Sequence, residues 1–398
     1  MLVQFSLKNF MSFKDEAVLD MTAIKAYKEH ECNVIDFADA TDERFLKVAA
    51  IYGANASGKS NFLLGMYCFK RIIAESLNNT DEDQGAVLEK YYSPYSFCDL
   101  QEASEFQVVK ILGNCEFTYG FEYNGQSILS EWLYKRNLNN KRISILLERK
   151  DSNITIGHSV RRECERFKDQ IPQETLALSF FNKLKLKTRV FHEVYNNISD
   201  MLVGPSDVYE DAQVLISMLP KEIDRNKNRL LEFLTAIDIG IRDINYKTEE
   251  GKVSIYTTHF GENNRAYHLD LFQESDGTRK AILIFMLCER AIRDNKIMIV
   301  DELNLKLHPL LLKFIIDLFN SQKTAGQLVY TTHDTTLLDK KFFRRDQIWF
   351  VEKDKWGVST LTALAEYKIR SDASFEKDYL AGVYGGIPLI KEFKTECN

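Results

Sequence analysis

The sequence carries no excess of positive charge. Its 52 lysine and arginine residues are outnumbered by 58 aspartate and glutamate residues, which gives a formal net charge of −6. Proteins that bind nucleic acid often have a basic balance, so this composition argues mildly against nucleic acid as the main partner. Two local basic clusters, at residues 183–189 and 340–345, are interpreted as solvated faces rather than as tracks for a phosphate backbone.

Paired cysteines and long apolar runs are also missing. The seven cysteines are scattered and none forms a Cys-x-x-Cys pair, so the sequence indicates neither a zinc site nor a redox pair. An odd, scattered set of cysteines without a signal peptide is typical of the reducing cytoplasm. No apolar run approaches the roughly 20 residues of a transmembrane helix. We therefore expect a soluble, cytoplasmic protein with no membrane partner.

Internal repeats, low-complexity tracts and persistent heptads are absent as well, which excludes a long coiled-coil arm. The chain has 398 residues, 45% of them hydrophobic and 28% charged, which is typical of a globular protein with two or three subdomains. Outside the motifs described below, we find no paired-carboxylate, His-Asn-His or Arg-His arrangement that would predict a nuclease.

A glycine-rich motif follows an apolar run early in the chain. Residues 48–52 lead into Gly-x-x-x-x-Gly-Lys-Ser and then into a helix-compatible stretch, which is the order of a phosphate-binding loop. Gly53 and Gly58 permit backbone angles and a close approach that a Cβ would block. Lys59 brings a mobile positive charge to the β- and γ-phosphates, and Ser60 offers a hydroxyl to Mg²⁺. The predicted nucleotide-binding residues are Gly53, Ala54, Asn55, Ala56, Ser57, Gly58, Lys59, Ser60 and Asn61.

Hydrophobic periodicity predicts an α/β fold. Residues 2–10 and 17–21 have strand patterns, and 60–76 have the spacing of an amphipathic helix. Between 106 and 134 the period changes to two, with the hairpin signal Asn124-Gly125 between two runs. We interpret this stretch as a small antiparallel meander inserted after the phosphate-loop helix.

The middle of the chain is predicted to be mainly helical, and strands return near its end. Residues 160–238 are rich in Glu, Lys, Arg and Leu, and we expect breaks at Pro172, Gly204-Pro205 and Pro220. Strands are predicted at 253–260 and 266–272. The expected division is an N-terminal lobe over 1–158 that holds the phosphate loop and the meander, a helical lid or partner-contact subdomain over 159–245, and a C-terminal lobe over 246–398.

Two carboxylates follow a buried type of strand at residues 297–300. This spacing places Asp301 and Glu302 at the carboxyl edge of the strand, where open α/β sheets bind ligands. Asp301 can orient Mg²⁺ through a water, and Glu302 can accept a proton from an attacking water. Alone, the motif also fits a strand end that meets solvent. The upstream phosphate loop favours the catalytic interpretation.

Two further motifs accompany the phosphate loop and the carboxylate pair. Ser275 and Gly277 precede an apolar helix at 281–292, and Ser275 is suited to cap it, although a plain helix cap would have the same pattern. Residues 327–332 form another short strand pattern and end at His333. A histidine there is usually a surface residue, but here it follows three other motifs and can sense a γ-phosphate.

Together these motifs resemble the ATP-binding-cassette ATPases of the SMC, RecF and OLD group. More narrowly, the chain resembles the prokaryotic "AAA family ATP-binding proteins" of abortive-infection and other phage-defence loci. The shared features are Asn9-Phe10 with Ser12-Phe13, the loop ending at Asn61, the segment Glu274–Lys280, the segment Asp301–Pro309 and the segment Tyr379–Pro388.

The resemblance implies an ABC-type P-loop ATPase head, with the inserted meander and helical lid, that closes on ATP and Mg²⁺ as a homodimer or higher oligomer. Ser275 and Gly277 would reach the γ-phosphate bound by the partner. Asn304 stands where the family usually has an aspartate, and we place no glutamine loop. The long coiled coil and zinc hook of the repair relatives are absent.

The favoured function is a slow ATPase that acts as a nucleotide-driven switch or motor in phage defence, with a separately encoded effector such as a nuclease or toxin. This assignment rests on the resemblance. One alternative is a RecF-like DNA-repair ATPase that binds duplex DNA, so nucleic acid is a possible partner but not a required one. Another is a slowly hydrolysing, nucleotide-gated scaffold.

Overall fold

A computed structural model describes residues 1–37, 41–77, 86–98, 102–203, 212–237, 240–321, 323–369 and 373–387. Its α-helices are α1 Lys59–Glu75, α2 Ala86–Tyr91, α3 Arg161–Cys164, α4 Ala177–Lys183, α5 Val190–Ser199, α6 Ala212–Ala236, α7 Asp276–Arg293, α8 Pro309–Ser321 and α9 Phe375–Leu380. Its strands are β1 Leu2–Lys8, β2 Ala17–Asp20, β3 Val34–Asp36, β4 Arg44–Leu46, β5 Val48–Tyr52, β6 Ser104–Leu112, β7 Cys115–Tyr123, β8 Ile128–Asn137, β9 Ile143–Lys150, β10 Asn153–Ile156, β11 Leu202–Val203, β12 Asp243–Glu249, β13 Lys252–Phe260, β14 Ala266–Asp270, β15 Ile297–Val300, β16 Gln327–Thr331, β17 Ile348–Lys353 and β18 Ser359–Ala363.

The central sheet has the strand order β11-β15-β16-β5-β17-β18. Its neighbouring strands are parallel except for the antiparallel pair β17–β18. Every residue of β5 is buried, and its side chains alternate between two cores: Ala49 and Ile51 face one, while Val48, Ala50 and Tyr52 face the other. The sequence of a strand that is covered on both faces is usually a continuous run of apolar residues. The α/β fold class expected from the sequence is confirmed.

A second, antiparallel sheet covers one side of this layer, with α1 packed between the two. Its order is β10-β9-β8-β7-β6-β1-β2. Rings of α1 pack on β1, with centroids 5.8 Å apart for Phe5 and Phe62 and 5.7 Å apart for Phe5 and Phe69. The predicted meander and its β7–β8 hairpin are therefore present. The meander is larger than predicted, because β9 and β10 extend it and β1 and β2 join its other edge.

The other core lies between the central sheet and helices α6, α7 and α8. Phe233 of α6 stacks on Phe285 of α7 with ring centroids 4.1 Å apart. The predicted break at Pro220 is wrong, since this proline lies inside α6, and the residue with non-helical backbone angles is Asn226. The predicted break at Gly204-Pro205 lies outside the described residues.

A three-stranded sheet, β12-β13-β14, leads into α7. Both predicted strands, at 253–260 and 266–272, are present, the second ending earlier at Asp270. In the described part of the chain, no helix is long and apolar enough to cross a membrane. The lobe boundaries after residues 158 and 245 stay a prediction.

Candidate nucleotide-binding site

The loop between β5 and α1 is closely packed against the strands beside it. A Cβ on Gly53 would lie 2.5 Å from the carbonyl oxygen of Val351, and one on Gly58 would overlap the hydroxyls of Ser359 and Ser12. Gly58 also has a φ of +115°, which L side chains rarely adopt. Neither position has room for a Cβ, so both must be glycine. At Gly58 the backbone angle also favours glycine.

Lys59 turns back into the loop. Its Nζ donates to the carbonyl oxygens of Gly53 at 2.7 Å and Ala54 at 2.9 Å. Burial lowers the pKa of Lys59, and the nearby carboxylates of Asp301 and Glu302 partly oppose that shift. The amine is thus held where the loop curves and close to both predicted catalytic carboxylates.

One threonine joins those two carboxylate residues to the neighbouring strand. Thr331, the last residue of β16, donates through Oγ1 to Asp301 Oδ1 at 2.5 Å, and the same oxygen accepts from the Glu302 backbone N–H at 2.7 Å. Glu302 itself has a φ of +47°, in the left-handed region. A glutamate held in this region marks a constrained backbone. The threonine hydroxyl helps to maintain it.

His333 is connected to the segment after Glu302 through Asn304. The side-chain oxygen of Asn304 accepts from Thr332 Oγ1 at 2.9 Å, and its amide nitrogen lies 3.4 Å from His333 Nε2. Asn304 thus contacts the histidine within the same chain. An amide both donates through its nitrogen and accepts through its oxygen, so Asn304 can contact Thr332 and His333 at the same time.

The phosphate-loop residues from Asn55 to Asn61 line a single cleft of about 390 Å³ together with Glu302 and His333. Gly53, Ala54 and Asp301 are not among its lining residues, and Asp301 is hydrogen-bonded to Thr331, two residues before His333. The residues lining the cleft are Asn55, Ala56, Ser57, Gly58, Lys59, Ser60, Asn61, Glu302, His333 and Lys353.

Ser275 and Gly277 are not among the described residues that line this cleft. Ser275 caps α7 as predicted, accepting from Thr278 N at 3.1 Å. Next to it, Asp276 pairs with Lys306 at 3.2 Å, and a Cβ on Gly277 would lie 3.0 Å from the Lys306 carbonyl oxygen. The start of α7 therefore packs beside the segment that follows Glu302.

Three residues at the loop have roles that sequence reasoning missed. Ser359 of β18 donates through Oγ to the Ser57 carbonyl oxygen at 2.5 Å, and its backbone N–H donates to Ser12 O at 2.7 Å. Ser12 Oγ in turn accepts from Asn61 Nδ2 at 2.8 Å. Lys353 lines the cleft from the end of β17. Of these three residues, only Ser12 could have been found from the sequence, because it belongs to the motif formed by Asn9-Phe10 and Ser12-Phe13.

The residues present fit ATP with Mg²⁺. The Ser57 hydroxyl is buried without a hydrogen-bond partner, and it lies inside a loop from which a Cβ is excluded at Gly53 and Gly58. Ser60 is exposed in the first turn of α1, where N–H groups favour anions. No described cluster of three or more His, Cys, Asp or Glu could hold a metal ion. Mg²⁺ usually takes one or two protein ligands plus phosphate and water, and Ser60 and Asp301 would be those ligands.

The end of the described chain also touches the loop. Gly385 and Gly386 form a turn with φ values of +67° and +65°, and a Cβ on Gly386 would lie 3.5 Å from Gly53 Cα. Tyr379 of α9 donates to the Gly386 carbonyl oxygen at 2.9 Å and so secures the turn. This is part of the Tyr379–Pro388 motif; its Pro388 lies outside the described residues.

A family model described as "AAA domain, putative AbiEii toxin, Type IV TA system" matches residues 48–339. The match runs from β5 past His333 and includes most of the chain. The chain belongs to this family. The expected membership in an AAA-type P-loop group is thereby confirmed, and the residues that line the cleft, apart from Lys353, lie within the matched range.

Solved structures similar to this AAA-family chain include two SMC heads. One, the SMC head bound to the C-winged helix domain of ScpA, is 14% identical with a TM-score of 0.42, covering 95% of this chain and 99% of the other. The SMC head domain from Thermotoga maritima is 14% identical with a TM-score of 0.40, covering 92% and 99%. A comparison with curated proteins gives no match.

Proposed function

We propose that the protein binds ATP with Mg²⁺ and hydrolyses it slowly, as the nucleotide-driven switch of a larger assembly. The observation that carries this proposal is the single cleft in which the phosphate loop, Glu302 and His333 meet. A plain glycine turn would not require a glutamate and a histidine from two other strand ends. Three separate chain segments converge on one site, as hydrolysis of a bound triphosphate requires.

Each residue then has a distinct role. Lys59 and the N–H groups at the start of α1 hold the phosphates. Ser60 and Asp301 would hold Mg²⁺, which offsets phosphate charge when bound. Glu302 orients the attacking water and accepts its proton. His333 contacts the terminal phosphate and, through Asn304, reports its loss to the segment that contains Lys306.

We further propose that two chains close around the nucleotide. Ser275 and Gly277 lie outside their own cleft, so the role implied for them requires a second chain. Large apolar side chains are exposed beside them, namely Phe272 at 40%, Leu305 at 38% and Leu310 at 72%. Exposed apolar groups near a polar motif are typical of a protein interface. The proposed assembly is a homodimer or a higher oligomer of this chain.

The biological setting is proposed from the family. Its description names a putative toxin and a toxin–antitoxin system, and we propose that the protein acts in abortive infection or another phage defence, in the cytoplasm, with a separately encoded effector. Survival of phage-challenged cells that carry the chain and its neighbouring gene, with and without Lys59→Ala, tests this setting. Equal survival would contradict it.

Lys59→Ala tests the nucleotide site itself. We expect most affinity for a non-hydrolysable ATP analogue to be lost, because the amine held within the loop is removed. Equilibrium titration measures this, with Lys355→Ala as the control, since Lys355 lies over the Trp356 ring, 5.1 Å from its centroid. Equal affinity of Lys59→Ala and the wild type would refute the site.

A further inference from the structure

We propose that Lys353 is a second phosphate-binding cation of the cleft, acting from the end of β17 while Lys59 acts from the start of α1; the inference rests on the proposed binding of ATP. Lys353 is the last residue of β17, which pairs with β5 in parallel, with Phe350 opposite Tyr52. One residue later, the Val351 carbonyl oxygen already packs against Gly53. The chain therefore delivers Lys353 to the same carboxyl edge of the sheet as the phosphate loop, and its side chain lines the cleft.

The ammonium of Lys353 is uncommitted. The side chain is exposed, and no described residue accepts a hydrogen bond from it or forms an ion pair with it. Lys59, in contrast, is engaged with two loop carbonyl oxygens. A lysine is a flexible point charge with three donors, so an unpaired one at the rim of a phosphate site can reach an anion without breaking an existing contact.

The acids on either side of Lys353 are directed elsewhere. Asp354 caps a turn, and its Oδ1 accepts from the backbone N–H groups of Trp356 and Val358, both at 2.8 Å. The Glu352 carboxylate lies against the turn at Gly385, where an added Cβ would overlap it. Neither neighbour is placed to serve mainly as an ion-pair partner for Lys353, which would be the usual reason for a lysine in an acidic sequence.

A second cation would add to the positive charge that faces a bound triphosphate. Lys59 is held by two carbonyl oxygens of the loop, whereas Lys353 lines the same cleft as Asn55 and Ala56 from the end of β17. A charge there attracts phosphate oxygens without being paired to the catalytic carboxylates.

Lys353 also borders a second pocket of about 540 Å³, which includes Tyr95 and Phe97. Phe97 is 76% exposed, and its ring is 5.7 Å from that of Tyr95. A cation at this junction has two possible targets in a nucleotide, the phosphates or the nucleoside. The charge argument favours the phosphates, and the experiment separates the two.

The test compares Lys353→Ala, Lys353→Arg and Lys355→Ala, using a non-hydrolysable ATP analogue and inorganic tripolyphosphate as probes. We expect Lys353→Ala to weaken both probes by a similar factor, roughly 10-fold, the low end for a hydrogen bond to a charged group. The loss should shrink at high salt, because exposed charges are screened. Lys353→Arg should keep most of the affinity, and Lys355→Ala all of it. Thermal unfolding of each variant checks that the fold is intact.

Two results would overturn the inference and leave the proposed function standing. In one, Lys353→Ala binds both probes as tightly as the wild type. In the other, it loses affinity for the ATP analogue alone, which assigns Lys353 to the nucleoside. Failure of the proposed function looks different: the wild type itself binds neither probe, and Lys59→Ala changes nothing.

Discussion

At the scale of single residues, Thr331 connects the two acids to which the proposed function assigns Mg²⁺ binding and proton transfer. Its hydroxyl fixes the carboxylate of Asp301 and the backbone of Glu302 at once. The two acids thus take their positions from the strand between β15 and β5. Glu302, with its left-handed backbone, lines the cleft, whereas Asp301 stays hydrogen-bonded to Thr331. Adjacent residues in the sequence thereby receive different chemical tasks.

Glu302→Gln should trap the ATP-bound state. Glutamine keeps the size and much of the hydrogen bonding of the side chain but cannot accept the proton of the attacking water. We expect turnover to fall by roughly 10²- to 10⁴-fold, the usual contribution of a general base, while Lys59, Ser60 and Asp301 keep the affinity for ATP. Steady-state ATPase assays and analogue titration measure the two quantities, with the exposed Glu262→Gln as control. Unchanged turnover would remove Glu302 from the catalytic role.

Sequence reasoning locates the residues whose spacing is local and misses those supplied by neighbouring strands. The sequence predicts the loop from Gly53 to Asn61 and the pair Asp301-Glu302, because each is a contiguous stretch of residues that follows a single strand. Ser359 and Lys353 reach the loop only because β17 lies next to β5 and β18 lies next to β17. That adjacency is a property of the folded sheet.

At the scale of elements, a buried lysine connects the antiparallel sheet to helix α5. Lys110 of β6 donates to the Asn197 carbonyl oxygen of α5 at 2.7 Å. Burial lowers the pKa of Lys110 to about 7. A charged amine is costly in such a place, and its single described carbonyl partner is neutral. The contact therefore makes the junction of these two elements sensitive to pH.

The pH dependence of stability should reveal this lysine. In the folded chain Lys110 loses its proton near pH 7, while the unfolded chain keeps it up to about 10.5. Between these values the unfolded state binds more protons, so the free energy of unfolding should rise with pH, by at most about 1.4 kcal/mol per pH unit. The buried amino group of Met1, whose pKa burial lowers to about 4, adds its own rise up to about pH 8, so Lys110→Met should show a smaller rise than the wild type rather than none. Urea unfolding of both proteins at pH 6.5 and 9 measures the difference, and parallel pH dependence would contradict it.

Whether an element could be predicted depends on how it is buried. The helix after the loop and strand β15 have strong apolar patterns and were predictable. Strand β12 was not, because only Ile244 among its residues is fully buried and the rest are polar or partly exposed. Strands β17 and β18 were missed for other reasons. The short apolar run of β17 fits a buried helix segment equally well, and β18 is mostly polar, with the sequence Ser-Thr-Leu-Thr-Ala.

At the scale of the whole molecule, the separation between the cleft and Ser275 makes assembly testable. Ser275→Arg should leave ATP binding near normal but prevent two chains from closing, since a long cation would fill the proposed contact with the partner. Arginine also removes the helix cap, which typically costs about 1 kcal/mol. Ser275→Asp keeps a capping oxygen and repels the triphosphate, so it should fail to assemble as well without that loss of stability.

Sedimentation with and without the ATP analogue measures this effect, and Ser254→Arg on the exposed face of β13 is the control. We expect the wild type and the control to gain mass with nucleotide and both Ser275 variants to remain single chains. A gain of mass by either variant equal to that of the wild type would contradict the role of Ser275 between subunits.

The position of β5 has a consequence for how the protein is made. Its neighbours β16 and β17 come late in the chain, and the turn at Gly385-Gly386 that packs on Gly53 comes later still. The ribosome therefore releases the phosphate loop long before the strands that hold it. Until they emerge, a strand that is apolar on both faces stays uncovered, and such surfaces promote aggregation. Translation of this chain thus includes a long interval in which β5 lacks its neighbouring strands and the phosphate loop lacks the segments that pack against it.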